Sequence, residues 1–324
     1  HDQLIANLHA APNIEFRIFN PWGSRESLLD RAGEMLAEME RLNTRMHDKL
    51  MIVDGRAAVV GGRNIGDHYF GLHELYNFHD TDLLGIGHIA DQSNGMFDMF
   101  WNSEWVAPAD ALSTEPDREI ARQQRASIQQ AIAESDRLES FTTEPQDWTA
   151  ELEELQGELR IGRSKLVYDE ATAEQISQNM AASMFNFYSI AKEELLIQNA
   201  YIIPADPAIE FLRERQEMGV RIRVLTNSLA SHDVPAVNSH YEPYRDDLIK
   251  AGVDLWELRA DPAIKQTVVD VPPINSGFTG LHSKCAVADR RYVFIGSMNM
   301  DPRSRAINTE MGAMVDSPEL AADL

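Results

Sequence analysis

One pattern occurs twice in this chain at matched internal spacing, and it constrains the fold more than anything else in the sequence. Met46 to Asn64 (MHDKLMIVDGRAAVVGGRN) carries His47, Lys49, Asp54 and Asn64. Leu281 to Asn299 (LHSKCAVADRRYVFIGSMN) carries His282, Lys284, Asp289 and Asn299. In each copy the Lys follows the His by two residues, the Asp follows the Lys by five, and the Asn follows the His by seventeen. A single His-x-Lys is usually only the polar face of a strand. Two copies in register require two halves that fold alike.

Around each His and Lys the residues are apolar and β-prone. A turn signal, Asp54-Gly55 or Asp289-Arg290, leads into a second apolar run, Ala57 to Val60 or Tyr292 to Ile295. This reads as a β-hairpin in each half. Side chains alternate across a strand, so His and Lys share one face while Cys285 points to the other. A cation therefore sits beside an imidazole. Gly61-Gly62 and Gly296-Ser297 then allow backbone to approach a ligand closely before Asn64 and Asn299.

HxKxxxxD twice in one chain, each followed by G-G/S-x-N, resembles the phospholipase D superfamily. The segments RLNTRMHDK, VGGRNIGDHYF, LTNSLASHDVPAVNSHYEPYR and IGSMNMDPRSRAINTEMG are similar to bacterial cardiolipin synthases of the C type. The resemblance covers most of the chain except its polar middle. It implies an α/β fold of two tandem phospholipase D-like α/β/α sandwich domains with the active site at their interface. The expected division is a first domain over residues 1–107, a helical connector over 108–163 and a second domain over 164–324.

Hydrophobic residues make up 44% and charged residues 25%, an ordinary globular composition. No run of about 18 apolar residues appears, so the expected contact with lipid is peripheral. The 29 Lys and Arg stand against 52 Asp and Glu, a formal net charge of −23. Such a field repels polyanions, which argues against nucleic acid as a partner. A single Cys forms no internal disulfide and leaves the compartment open.

Along the chain, Ser24 to Asn43 reads as an amphipathic helix with Leu28, Leu29, Met35, Leu36 and Met39 inward. His68, His73 and His79 match no strong metal-ligand spacing and read as a loop at the rim of the site. Asp80-Thr81-Asp82 precedes the strand Leu83 to Ile86, as Asn308-Thr309-Glu310 precedes Met311 to Val315. Both place a carboxylate at a strand start, and a charged His needs such an acid to fix its tautomer. Asp82 and Glu310 match the family's supporting acids.

Arg118 to Leu138 has helical spacing. The second half alternates helix Ala173 to Ala191, strand Leu195 to Ile203, helix Ala208 to Met218, strand Val220 to Leu225 and strand Val253 to Leu258. Thr226-Asn227-Ser228 lies at a strand's C-terminal end, where ligands meet open α/β sheets. The loop Asp261 to Gly280 could lid the site. Folded material between Leu195 and Asp247 has no counterpart before Asp2, and the second copy stops at Leu324 where the first continues into Ala90 to Trp105. The expectation is a fragment truncated at both ends.

By resemblance His47 is the nucleophile and His282 the general acid and base, with Lys49, Lys284, Asn64, Asn299, Gly62 and Ser297 around the phosphoryl group. Asp54 and Asp289 belong to the motif, although brace positions in the hairpin turns suit them better than contact with substrate. No cofactor or metal is implied. The resemblance implies phosphatidyl transfer to phosphatidylglycerol, making cardiolipin, with phosphatidylethanolamine a candidate donor, at the bacterial inner membrane with the face open. Hydrolysis of the same lipids to phosphatidate shares every motif. A phospholipase D-type nuclease shares the His and Lys pairs, and a non-catalytic lipid-binding protein would leave function untouched in His47→Ala.

Overall fold

The computed structural model describes residues 2–22, 39–73, 75–112, 114–134, 147–172, 175–259 and 278–324. Most of the expected helix Ser24 to Asn43, including Leu28, Leu29, Met35 and Leu36, lies outside these residues, and Met39–Asn43 is helical. Nearly all of the expected lid, Asp261 to Gly280, also lies outside them.

The strands of the described residues run, in chain order, β1 Arg17–Phe19, β2 Leu50–Val53, β3 Ala57–Gly61, β4 Tyr76–His79, β5 Asp82–Ile86, β6 Val106–Pro108, β7 Arg163–Tyr168, β8 Glu194–Asn199, β9 Arg221–Asn227, β10 Asp254–Leu258, β11 Phe278–Leu281, β12 Lys284–Ala288, β13 Tyr292–Gly296 and β14 Met311–Asp316. The fold class is α/β, as the sequence indicates.

Two compact units emerge: His1–Arg45 with Met99–Leu159, and Met46–Asp98 with Arg160–Leu324. These cut across the expected boundaries at 107 and 163. The reason is packing: β3 and β5 lie against β13, and Leu83 joins the apolar cluster of Cys285, Val287, Val293 and Ile295. The sheet β2-β3-β5 thus packs on the second copy's strands through β3 and β5.

In the first unit β1 pairs antiparallel with β6, and Phe19 stacks on Trp105 at 5.7 Å. Its helices Arg118–Glu134 and Thr149–Glu158 bury no residue, which fits their polar composition.

The second unit is built on a seven-stranded sheet in the order β10-β9-β8-β12-β13-β14-β7. Strands β8, β9 and β10 are parallel, joined by the helices Asp206–Glu217 and Pro235–Lys250, because parallel neighbours need long crossovers. Both helices end at glycines in the left-handed region, Gly219 at φ 93° and Gly252 at φ 86°. Leu195, Ile197, Ile222 and Val224 bury one sheet face under Met180, Phe187, Ile209 and Leu212.

Beside this sheet, β2-β3-β5 repeats the arrangement of β12-β13-β14 in miniature. Both hairpins turn through paired left-handed residues: Asp54 and Gly55 at φ 51° and 67°, Asp289 and Arg290 at 53° and 53°. That is the geometry of a type I′ turn, whose twist matches the strands it joins.

Candidate active site

Each histidine is held by backbone pairing to the other half of the pattern. The His47 N–H donates to the carbonyl of Thr309 at 3.1 Å, and the His282 N–H donates to the carbonyl of His79 at 2.8 Å. Just ahead of them Met46 bridges Thr309 in parallel, and β11 pairs parallel with β4, Leu281 opposite His79. The residue after each accepting carbonyl is an acid: Glu310 in one case, Asp80 in the other. Each half therefore delivers a carboxylate to the other half's imidazole.

His47 Nδ1 lies 2.9 Å and 3.0 Å from the two carboxyl oxygens of Glu310. His282 Nδ1 lies 2.7 Å from Asp80 Oδ2. With Nδ1 facing an acid, each ring turns Nε2 toward chemistry. Glu310 stands where the sequence puts it, but Asp82 does not support His282. Asp82 pairs instead with Arg63, Nε to Oδ2 at 2.6 Å.

Strand register explains the displacement. Gly61 faces Asp82 across β3 and β5, while Gly296 faces Gly312 across β13 and β14. Asp82 is thus the equivalent of Gly312, and Asp80 is the equivalent of Glu310. Matching Thr81 to Thr309 sets the acid two residues too far along.

The lysines repeat one another. Lys49 Nζ donates to the carbonyl of His47 at 2.7 Å, and Lys284 Nζ donates to the carbonyl of His282. Lys284 is fully buried. A Cβ on Gly62 would fall 2.7 Å from Asp80 Oδ1 and 3.2 Å from Lys284 Cδ, so glycine permits the first copy's backbone to approach the second copy's lysine. At the equivalent place Ser297 donates its hydroxyl to Glu310 Oε2 at 2.5 Å.

Asn64 Nδ2 donates to the hydroxyl of Tyr69 at 2.7 Å. Asn299 is buried, and its Oδ1 has no partner among the described residues. Asp54 and Asp289 sit in the hairpin turns, about five strand residues or roughly 16 Å from the lysines, and are not part of the cluster. Asp289 accepts from the backbone N–H groups of Lys192, Glu193 and Glu194 at 2.8 to 3.1 Å, which makes it a brace.

Burial sets the electrostatics. It pushes His47 down to about 3, helped by Lys49 and Lys284, and His282 down to about 4, helped by Lys284. Both lysines fall to about 8, chiefly by desolvation. The two acids differ. Burial raises Glu310 to about 8, whereas burial of Asp80 is outweighed by the His282 hydrogen bond and the Lys284 charge, and its carboxyl stays below the usual range. Asp80 is therefore a fixed anion beside His282, and the His47–Glu310 pair carries less charge. Exposure differs in the same sense: 25% of the His47 side chain is accessible against 6% for His282.

Several supporting residues gave no sequence signal. Asp169 Oδ2 accepts from the Glu310 N–H at 3.1 Å and its Oδ1 from the Met180 N–H at 2.9 Å, tying the acid to the start of helix Asn179–Ile190. Asn227, read from sequence as a ligand contact, is committed to backbone: it clamps the N–H and carbonyl of Leu281 at 2.8 Å and 2.7 Å and so positions His282. Of the three loop histidines, His68 stacks on Tyr76 at 4.3 Å and meets His73 edge-on at 4.0 Å, while His79 serves through its carbonyl. No group of three or more His, Cys, Asp or Glu among the described residues forms a metal-ligand set.

Two acid-braced imidazoles flanked by two lysines suit phosphodiester chemistry, and the chain belongs to the phospholipase D superfamily of phosphatidyltransferases and phosphodiesterases. The family described as "Cardiolipin synthase, PLD-like domain" matches residues 185–324. Cardiolipin synthase C of Escherichia coli strain K12 is 33% identical over 99% of this chain and 68% of its own length. Cardiolipin synthase 1 of Staphylococcus aureus strain MRSA252 is 25% identical over 88% of this chain and 46% of its own length. Among solved structures, the phosphatidylserine synthase of Haemophilus influenzae Rd KW20 superposes with a TM-score of 0.54 at 16% identity, covering 86% of this chain and 60% of that one. The chain thus spans about two thirds or less of the length of these relatives.

Proposed function

We propose that this chain carries a phosphatidyltransferase site that makes cardiolipin by transfer to phosphatidylglycerol through a phosphohistidine on His47. The observation that carries this reading is the unequal pair of braced imidazoles. His47, neutral and the more accessible, presents an Nε2 lone pair that attacks phosphorus, and the bond to the departing alcohol breaks. His282 enters this step as the imidazolium, its Nδ1–H held on the Asp80 anion, and gives its Nε2 proton to that alcohol's oxygen, leaving the neutral ring.

In the second step His282 takes the hydroxyl proton of phosphatidylglycerol. The hydroxyl oxygen bonds to phosphorus, the P–N bond breaks and His47 is restored. Lys49, Lys284, Asn64 and Asn299 stabilise the charge that spreads over the phosphoryl oxygens, and Gly62 and Ser297 shape the wall beside them. The cardiolipin synthases among the relatives support phosphatidylglycerol as acceptor. Peripheral contact with the bacterial inner membrane accompanies this reading, and no helix of the described residues is long and apolar enough to cross a membrane.

Water at the accessible His47 would divert the same intermediate to phosphatidate. The deciding experiment incubates the enzyme with phosphatidylglycerol vesicles, with and without phosphatidylethanolamine, and follows products by mass spectrometry against His47→Ala. Cardiolipin that requires His47 supports transfer. Phosphatidate alone makes the enzyme a phospholipase, and neither product overturns both.

A further inference from the structure

Beside His282 lies a carboxylate that this mechanism does not use. Both oxygens of Asp233 accept from the hydroxyl of Tyr201 at 2.9 Å, and only 16% of the Asp233 side chain is accessible. Its nearest basic group is His232, whose Nδ1 is 3.6 Å away. That nitrogen accepts the Val234 N–H at 3.1 Å, so it holds a lone pair and no proton toward Asp233, and burial lowers the imidazole further. The start of helix Pro235–Lys250 offers a partial positive charge two residues on, which offsets only part of the anion. Among the described residues no Lys or Arg therefore lies within ion-pair distance of Asp233, and Lys284 feels its charge only from farther off. A mostly buried carboxylate without a close cation is costly.

The surroundings are aromatic. Tyr201 stacks on His232 at 5.2 Å and stands edge-on to His282 at 6.5 Å. Tyr69 and Phe78 lie 4.9 Å and 5.1 Å from the His282 ring. The Asp233 charge also reaches Tyr69, Tyr76 and Lys284, which sets it close to the reacting groups. An anion among electron-rich ring faces is a receptor for an organic ammonium, through a charge-assisted contact and cation–π attraction.

We propose that Asp233, with Tyr201 and Tyr69, recognises a positively charged headgroup on the phosphatidyl donor and so selects an aminoalcohol phospholipid. The inference rests on the phosphatidyl-transfer reading. His282 protonates the departing oxygen, and in an aminoalcohol the ammonium lies two carbons from that oxygen, a short reach given that the Tyr201 ring whose hydroxyl holds Asp233 stands 6.5 Å from the His282 ring. A polyol headgroup offers the carboxylate no charge.

The test presents mixed vesicles of phosphatidylethanolamine and phosphatidylglycerol and measures ethanolamine and glycerol released, for the unaltered enzyme, Asp233→Asn, Asp233→Glu and Tyr201→Phe. The expected result is a fall of at least tenfold in the ethanolamine-to-glycerol ratio in Asp233→Asn, mainly through KM for phosphatidylethanolamine. Tyr201→Phe should cause a smaller fall, and Asp233→Glu should partly recover the ratio. An unchanged ratio overturns the proposal. So does an equal fall for both headgroups, which would make Asp233 a brace for Tyr201. If the unaltered enzyme releases headgroups without forming cardiolipin, transfer fails while the ratio still decides the role of Asp233. Release of neither headgroup overturns both.

Discussion

At the scale of residues, Asp80 and Asp82 separate what looks catalytic from what is. Both are aspartates at the entry to β5, but Asp80 is buried against His282 and Asp82 is paired with Arg63 at the edge of the site. Removing the charge that orients an imidazole damages chemistry far more than removing a partly exposed ion pair. Asp80→Asn should lower kcat/KM about a hundredfold or more. Asp82→Asn should lower it by less than about tenfold and cost about 1 kcal/mol or less in stability. Steady-state kinetics and urea melts check both, and equal kinetic losses would return the role to Asp82. The histidines, lysines and asparagines were legible because the chain states them twice. The acid was not, because Thr81 and Thr309 offer a plausible alignment that only strand register corrects. Tyr201 gave no signal, and Asp233, though inside the quoted segment LTNSLASHDVPAVNSHYEPYR, was assigned no role, since nothing in the first half mirrors either.

At the scale of elements, the hairpins carry the site by fixing where each strand starts, and their turns depend on an aspartate in the left-handed region. Asp289 supplies φ 53° and also gathers three backbone N–H groups from Lys192 to Glu194. Some burial works against its charge, but those donors win and its carboxyl is held below the ordinary value. The sign follows: a depressed folded value stabilises at pH above the unfolded carboxylate's, about 3.9, and is lost as pH falls through the folded value. Asp289→Ala should therefore lose about 1–3 kcal/mol at neutral pH, and the gap from the unaltered protein should narrow below about pH 4. Chemical denaturation across pH checks this, and a gap independent of pH would refute it.

The strands read from the sequence stand within a few residues of their expected bounds because most are continuous apolar runs, whereas β4, β6, β7 and β11 lie in more polar or loop-like stretches and were not read as strands. The helix expected from Ala173 begins only at Asn179, because Glu170 and Ser177 first close a turn by exchanging hydrogen bonds and Asp169 then caps Met180. Strand β8 ends at Asn199, short of Ile203, where Asn199 turns its side chain to the Met298 carbonyl and the Met300 N–H.

At the scale of the whole molecule, duplication was legible, and the packing of the two copies against each other was not. His47, Asp80, His282 and Glu310 all fall in the unit of Met46–Asp98 and Arg160–Leu324, where β3 and β5 pack on β13 and Leu83 of β5 joins the second copy's apolar cluster. All four groups come from a single chain. Mixing His47→Ala with His282→Ala protein should therefore give no more activity than the two apart. Recovery of an appreciable fraction of full activity would mean that the site is completed by a second copy.

The crossed bracing of the histidines also governs when the site can exist. His47 waits for an acid 263 residues downstream, and His282 depends on one 202 residues upstream. Contacts of such separation close late in folding. On the ribosome the first histidine emerges long before Glu310, and until that glutamate arrives His47 is an ordinary solvated imidazole. The paired site is complete only once the newly made chain has emerged past its second motif.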